Sequence, residues 1–491
     1  MYKPTWNSLK QHPTPQWFRD AKFGIYTHWG IYCVPAKGPN ATWYPYNMYR
    51  KGTEQYEYHL RTYGGPARVG YKDFIPDFTA ARFDPQEWAE LFHQSGARYA
   101  GPVAEHHDGF AMWDTRYSEW NAARMGPRRD VVGLLETAIR RQGLRFLTAF
   151  HHAANWWSSP HWEKEYDTSD PRYAGLYGEP HNLDRPLTQE GFFNQDRPSL
   201  AFMERWQAKM VEVIDRYGPD VIWFDFGLRG VPEADKQVFL AYYYNWAAAQ
   251  GREVVVTYKD NDLAPGAGVV DLELGRMSEL TYHEWITDST VDDGQAWGYI
   301  QDTGYKTPAE VVHYLIDNVS KNGYLLLNVG PKADGTLPEE AKAILRGTGS
   351  WLAVNGEAIY GTTPWVTYGE GPGQIGKSGA FNEQDVPAFT GRDVRFTVKD
   401  NNLYAICLGW PGHRFTIEAL KVLWPGEIRS VQMLGVDRDL PWSLDESGLT
   451  IETPDERPGE YAFAFRIRRG NPFDSQKNQS GKPAELQQGS A

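Results

Sequence analysis

Short apolar runs alternate with amphipathic stretches from the N-terminus to about Leu352. "FGIYTHWG" (Phe23–Gly30), "YAGPVAEH" (Tyr99–His106), "LRFLTAFHH" (Leu144–His152), "PDVIWFDFG" (Pro219–Gly227), "EVVVTYK" (Glu253–Lys259), "VVDLEL" (Val269–Leu274) and "YLLLNVG" (Tyr324–Gly330) read as strands buried on both faces. Pro102, inside the second run, is a mild objection to it. Helical segments lie between most of these runs. "DPQEWAELFHQSGA" (Asp84–Ala97) has Asp84 as N-cap, Pro85 in the first turn and Gly96 near its end. "DVVGLLETAIRRQG" (Asp130–Gly143) is a second helix with a glycine stop. About seven strand–helix units in this length predict a (β/α)8-like barrel over residues 1–360. The rival, an open doubly wound sheet, usually carries a glycine-rich phosphate loop, and neither GxGxxG nor GxxxxGK[ST] occurs.

The period changes after about Tyr360. "GEGPGQIGKSG" reads as a linker or exposed loop. Short alternating runs follow: "DVRFTVKD", "LYAICLGW", "RFTIEAL", "SVQML", "LTIET" and "YAFAFRIR". They predict a C-terminal antiparallel β-sandwich over residues 361–470. Residues 471–491 are polar and aperiodic, and disorder is expected there.

Composition narrows the partners. The net charge is −13, which argues against nucleic acid and anionic membrane surfaces. No run of about 18 apolar residues is present to span a bilayer. The N-terminal stretch lacks a basic region followed by an apolar one, so a cytoplasmic location is the expectation. The two cysteines, Cys33 and Cys407, are far apart, and a disulfide between them is not expected. The aromatic load is heavy, with 20 Trp, 29 Tyr and 22 Phe. Most of these rings belong in cores, but exposed ones suit ligands with apolar C–H faces and polar edges, as sugars have. A homo-oligomer is compatible with all of this.

Polar and ionisable residues end six of the apolar runs: His28, the Glu105–His106–His107 trio, the His151–His152 pair, Asp225, Lys259 and Glu273. Charges in apolar strands are costly to bury, so six such ends predict one convergent site at the C-terminal face of the barrel. Asp225 stands among Ile222, Trp223, Phe224 and Phe226 with no basic neighbour in sequence. Glu273 follows one or two units further round. Two carboxylates facing each other across a barrel mouth are the equipment of glycoside hydrolysis. An early-strand His-x-His is missing, and neighbours in an extended chain point to opposite sides, so His106 and His107 are not expected to share a metal. No metal or cofactor is therefore expected. His28, one or both of His106 and His107, His152 and Lys259 are read as polar contacts to a saccharide, with Trp43 and Trp297 as an apolar wall or as core.

Several long motifs, in order, are similar to those of the α-L-fucosidases of glycoside hydrolase family 29. They are "WFRDAKFGIYTHWGIYCVPA" (Trp17–Ala36), "HHDGFAMWDTRYSEWNA" (His106–Ala122), "DVIWFDFG", "WGYIQDTGYKTPAEVVHYLIDNVSKNGYLLLNVGPKADGTL" (Trp297–Leu337) and "VNGEAIYGTTPW" (Val354–Trp365). The resemblance implies a retaining exo-glycosidase acting on terminal α-L-fucosyl residues through a covalent intermediate. It implies Asp225 as nucleophile, His28, His106 and His107 as fucose-binding residues, and Trp297 near the sugar's methyl group. The sequence departs from the family where many members carry Trp-Glu, since Ile286 follows Trp285. The "DLELGR" segment resembles the Glu-x-Gly of members lacking that Glu, which makes Glu273 the acid/base, with Glu284 the alternative and Glu54 a distant third. Two other classes stay open: a metal-dependent barrel hydrolase using the histidine cluster, and a non-catalytic fucose-binding relative.

Overall fold

Nearly every residue of the N-terminal strands is buried, so each strand must be covered on both faces. The computed structural model describes residues 1–181 and 197–470, and the C-terminal tail expected to be disordered lies outside them. β1 (Phe23–Thr27), β2 (Tyr99–Glu105), β3 (Arg145–Phe150), β4 (Val221–Phe224), β5 (Val255–Lys259), β6 (Val269–Asp271), β7 (Trp285–Thr290) and β8 (Gly323–Val329) close into a parallel barrel in sequence order. Pro102 is tolerated inside β2, where it lies beside Thr27 of β1.

Helices α1 (Pro85–Gln94), α2 (Val131–Arg141), α3 (Leu200–Tyr217), α4 (Glu233–Ala249), α5 (Pro308–Ser320) and α6 (Glu339–Asn355) surround the barrel. Their starts follow the expected chemistry. Asp84 accepts from the backbone N–H groups of Gln86 and Glu87, and Asp130 accepts from Gly133 N–H. No helix separates β5 from β6 or β6 from β7. β7 is the strand that the apolar pattern does not reveal: "WITDST" offers only Trp285 and Ile286 as large apolar residues.

The barrel interior is filled by alternate residues of the strands, including Tyr26, Tyr99, Leu147, Val221, Trp223, Val255, Val269, Ile286 and Leu326. Burying each large side chain of this kind contributes about 1.5–3 kcal/mol. The opposite parity, such as Ile25, Phe150, Ile222, Val256 and Leu325, packs under the helices.

β9 (Thr363–Glu370), β10 (Val394–Lys399), β11 (Asn402–Cys407), β13 (Ile428–Met433) and β16 (Phe463–Arg469) form a five-stranded antiparallel sheet. β12 (Arg414–Ile417), β14 (Trp442–Asp445) and β15 (Gly448–Glu452) form a three-stranded one. The two share a core that includes Phe396, Leu403, Leu449, Ile451 and Phe465. β9 and β14 are additional to the strands read from the sequence. The glycine-rich segment read as a linker or exposed loop runs from the end of β9 into the β9–β10 connection, which hydrogen-bonds back to the barrel. Cys33 and Cys407 are both buried and free.

The two units are joined by buried charge. Asp317 on α5 accepts from Arg395 Nε of β10 at 2.7 Å, Lys321 Nζ at 2.9 Å and Arg276 Nη1 at 3.4 Å. Burial alone would raise the Asp317 pKa. Arg395, Lys321 and Arg276 outweigh it and hold the pKa at about 2.

Candidate active site

Strand parity sets the polar layer above the apolar interior. A residue two positions beyond an inward apolar one also points inward. Tyr26 therefore leads to His28, Ala149 to His151, Trp223 to Asp225, and Ile286 to Asp288. Likewise Leu326 leads to Asn328, Val255 leads through Thr257 to Lys259, and Val269 leads to Asp271 and then Glu273. β2 departs from the rule. Its pairing with β3 slips between Val103 and Glu105, and the extra residue turns Glu105 outward onto Lys209 of α3, at 2.7 and 2.9 Å. His106 then faces the barrel mouth.

Two expectations about the histidines change. β2 ends at Glu105, so His106 and His107 do not sit in extended chain and are not opposed. Their rings lie 4.3 Å apart; His106 stacks on His151 at 4.1 Å and His107 packs against Trp43 at 4.7 Å. His152 is not at the site. It has the outward parity of Phe150 and stacks on Trp206 of α3. His151 takes the inward place instead.

A narrow inner cavity of about 30 Å3 is bounded by His28, His106, His151, Asp225, Glu273 and Asp288, with Trp43, Trp223, Phe226 and Trp297 as its aromatic walls. It shares Trp43, Phe226, Glu273 and Trp297 with an outer cavity of about 450 Å3. His28 is fixed from both sides. Its backbone N–H and Nδ1–H both donate to Asn328 Oδ1, at 3.0 and 2.9 Å. Asn328 Nδ2 donates to Thr290 Oγ1 and to the Trp297 carbonyl, which settles its orientation. The Nε2 lone pair of His28 then accepts from His151 Nε2 at 3.2 Å. Burial lowers the His28 pKa to about 4 and that of His107 to about 3, so both rings are neutral.

Lys259 is the cation of the site. Its Nζ stands 2.5 Å from Asp288, 3.1 Å from Asp271 and 3.6 Å from Glu273. Tyr26 donates its hydroxyl to Asp288, and Trp223 Nε1 donates to Asp271. One ammonium faces four carboxyls, and burial holds Asp271 well above the ordinary carboxyl range despite Lys259 and Trp223 beside it. Burial raises Asp225 to about 7 and Glu273 to about 8, with Lys259 opposing both shifts. Asp225 lies 3.8 Å from His151 Nε2 and is held at the end of β4, where its N–H donates to the Phe150 carbonyl.

The alternative acid/base residues lie elsewhere. Glu284 precedes β7 at the opposite end of the barrel, where it accepts from Arg19 at 2.9 and 3.2 Å and from the Tyr324 hydroxyl. Glu54 is exposed at the start of the helix Glu54–Tyr63. The sequence reading misses Asp271, Asp288 and Asn328, which the same two-residue parity marks. It also could not see that His28, His106 and His151 each present a nitrogen within 4.8 Å of the others, a set able to hold a metal ion. These neutral rings suit hydroxyl groups equally, since each has one donor and one acceptor.

Rigid carboxyls at the C-terminal mouth of a barrel, beside neutral hydrogen-bonding rings, define a glycoside-hydrolase type of site. Residues 1–357 match the family model for alpha-L-fucosidase, and residues 388–468 match that for the alpha-L-fucosidase C-terminal domain. The chain is 31% identical to tissue alpha-L-fucosidase of Rattus norvegicus over 96% of this chain and 93% of that protein. It is 33% identical to plasma alpha-L-fucosidase of Homo sapiens, over 95% and 92% of the two chains. Thermotoga maritima alpha-fucosidase in complex with fucose superposes with a TM-score of 0.75 at 31% identity, covering 95% of this chain and all of that one. The same protein in complex with a mechanism-based inhibitor gives 0.76 at 32% identity, with the same coverage. The chain belongs to the α-L-fucosidase family, glycoside hydrolase family 29, and is a glycoside hydrolase.

Proposed function

We propose that this chain is a retaining exo-α-L-fucosidase, with Asp225 as nucleophile and Glu273 as acid/base. The observation that carries the reading is that Asp225 and Glu273 line one narrow cavity, and burial holds Glu273 protonated to the higher pH. The Asp225 carboxylate attacks the anomeric carbon while the Glu273 carboxyl gives its proton to the departing oxygen. The Glu273 carboxylate then takes a proton from water as that water attacks the fucosyl–Asp225 ester, returning the α-anomer. His28, His106 and His151 grip the sugar hydroxyls, and Trp297, 5.4 Å from the His28 ring, gives an apolar surface. The related Thermotoga maritima protein, seen with a mechanism-based inhibitor, supports covalent chemistry.

A panel of aryl glycosides tests the substrate, and release from the α-L-fucoside alone is expected. NMR of the first product should show the α-anomer; the β-anomer would refute the covalent role of Asp225. A metal-dependent hydrolase is the second reading, favoured by the three-histidine geometry. Activity lost to a chelator and restored by a divalent ion would select it.

A further inference from the structure

The β9–β10 connection of the C-terminal unit is hydrogen-bonded to the backbone that carries Glu273. Arg276 and Gly379 exchange backbone hydrogen bonds at 3.1 and 2.9 Å. Phe381 N–H donates to the Glu273 carbonyl at 2.8 Å, and the N–H groups of Asn382 and Glu383 donate to the Leu274 carbonyl at 3.0 and 2.8 Å. The Asn382 side chain accepts from Arg276 N–H at 2.7 Å, and the Glu383 carboxylate accepts from Ser289 Oγ at 2.7 Å. Asn382 and Glu383 are buried by these contacts, whereas Phe381 just before them is 65% exposed. Its φ of 56° lies in the left-handed region, which is unfavourable for a bulky residue and is kept here by the bonds on both sides.

The exposed ring lines the outer cavity together with Trp43, Phe226 and Glu273. Phe226 follows the nucleophile in sequence, and Phe381 is bonded to the main chain of the acid/base. The leaving oxygen must lie at the Glu273 carboxyl, so the group it carries extends into this outer cavity. We propose that Phe381 is a specificity-determining residue: an aromatic platform, supplied by the C-terminal unit, for the first sugar of the leaving group. A pyranose offers an apolar C–H face to such a ring. The proposal rests on Glu273 being the acid/base.

The test compares α-L-fucosyl fluoride, whose leaving group has no ring and needs no acid, with an α-L-fucosyl disaccharide. In Phe381→Asn, which suits left-handed backbone, the ratio of kcat/KM for the disaccharide to that for the fluoride should fall about ten-fold. Phe381→Trp should restore it. An unchanged ratio, or equal losses on both substrates, would overturn the platform. Failure of the parent protein to turn over the fluoride, or a Glu273→Ala variant that keeps its disaccharide activity, would instead refute the catalytic assignment beneath it.

Discussion

Lys259 and Asp317 are both buried ions surrounded by groups of opposite charge, yet the two clusters do opposite things. Around Lys259 the carboxyls are in excess: Asp225, Asp271, Glu273 and Asp288 face one ammonium. Burial, which the one ammonium only partly offsets, shows as raised pKa values at Asp225, Asp271 and Glu273. Around Asp317 the cations are in excess, and the single carboxylate is held at about 2. The first cluster keeps proton-exchanging groups near neutrality and opens into a cavity. The second has no exposed member and ties α5 to the C-terminal sheet. Burial is common to both, so the ratio of charges decides whether a buried carboxyl is chemically useful or structural.

The largest effect should follow from Asp225→Asn, which removes the nucleophile while keeping its size. Turnover of an aryl α-L-fucoside should fall by at least about 10^3-fold, with an unchanged circular dichroism spectrum. Asp317→Ala breaks the other cluster and leaves three buried cations unpaired. It should cost about 3–5 kcal/mol of stability in denaturant titration. If Asp317→Ala is as stable as the parent, the cluster does not join the two units.

Acid separates the clusters by sign. The folded pKa of Asp317 is depressed, so its stabilisation is present above the unfolded value near 3.8 and is lost as pH falls toward 2. The folded pKa values of Asp225 and Glu273 are raised. Any stability tied to their protonation is present below the unfolded values and is lost as pH rises through 7 to 8. Glu273→Gln should therefore raise Tm at pH 8 by about 2 °C while abolishing hydrolysis of poor leaving groups. A lower Tm would contradict the surplus-charge reading.

The kinetic counterpart is a bell-shaped kcat/KM profile whose two limbs belong to the coupled Asp225–Glu273 pair and lie above the ordinary carboxyl range. Lys259→Met removes the cation that opposes both shifts. The acidic limb should move up by about one pH unit or more. The smallest expected effect is at His152: replacement by Phe should leave KM for the fucoside nearly unchanged, while His151→Ala should raise it. Equal effects at both positions would break the parity argument that separates them.

Much of this was legible in the sequence. Uninterrupted apolar runs gave seven of the eight barrel strands, and Asp225 and Glu273 stood out as charges beside them. β7 escaped because a strand at the barrel mouth spends its inward positions on polar groups, as "WITDST" does with Asp288. The sequence does not separate His151 from His152, because a pair at a strand end looks equivalent until inward parity is counted back to Ala149. His106 is read from the sequence as a sugar contact, but the way it comes to face the mouth depends on a bulge in β2 that only pairing with β3 reveals. The clamp on Glu273 was equally hidden, because a glycine-rich stretch carries no mark of the strand end it will bond to.

The covalent role of Asp225 is the centre of the account, and labelling tests it most directly. The protein would be incubated with a 2-deoxy-2-fluoro-α-L-fucosyl fluoride, digested, and its peptides mapped by mass spectrometry. A single fluorofucosyl adduct on Asp225 is the predicted result. An adduct on any other carboxyl, or fluoride release with no adduct and a β-configured first product, would contradict it.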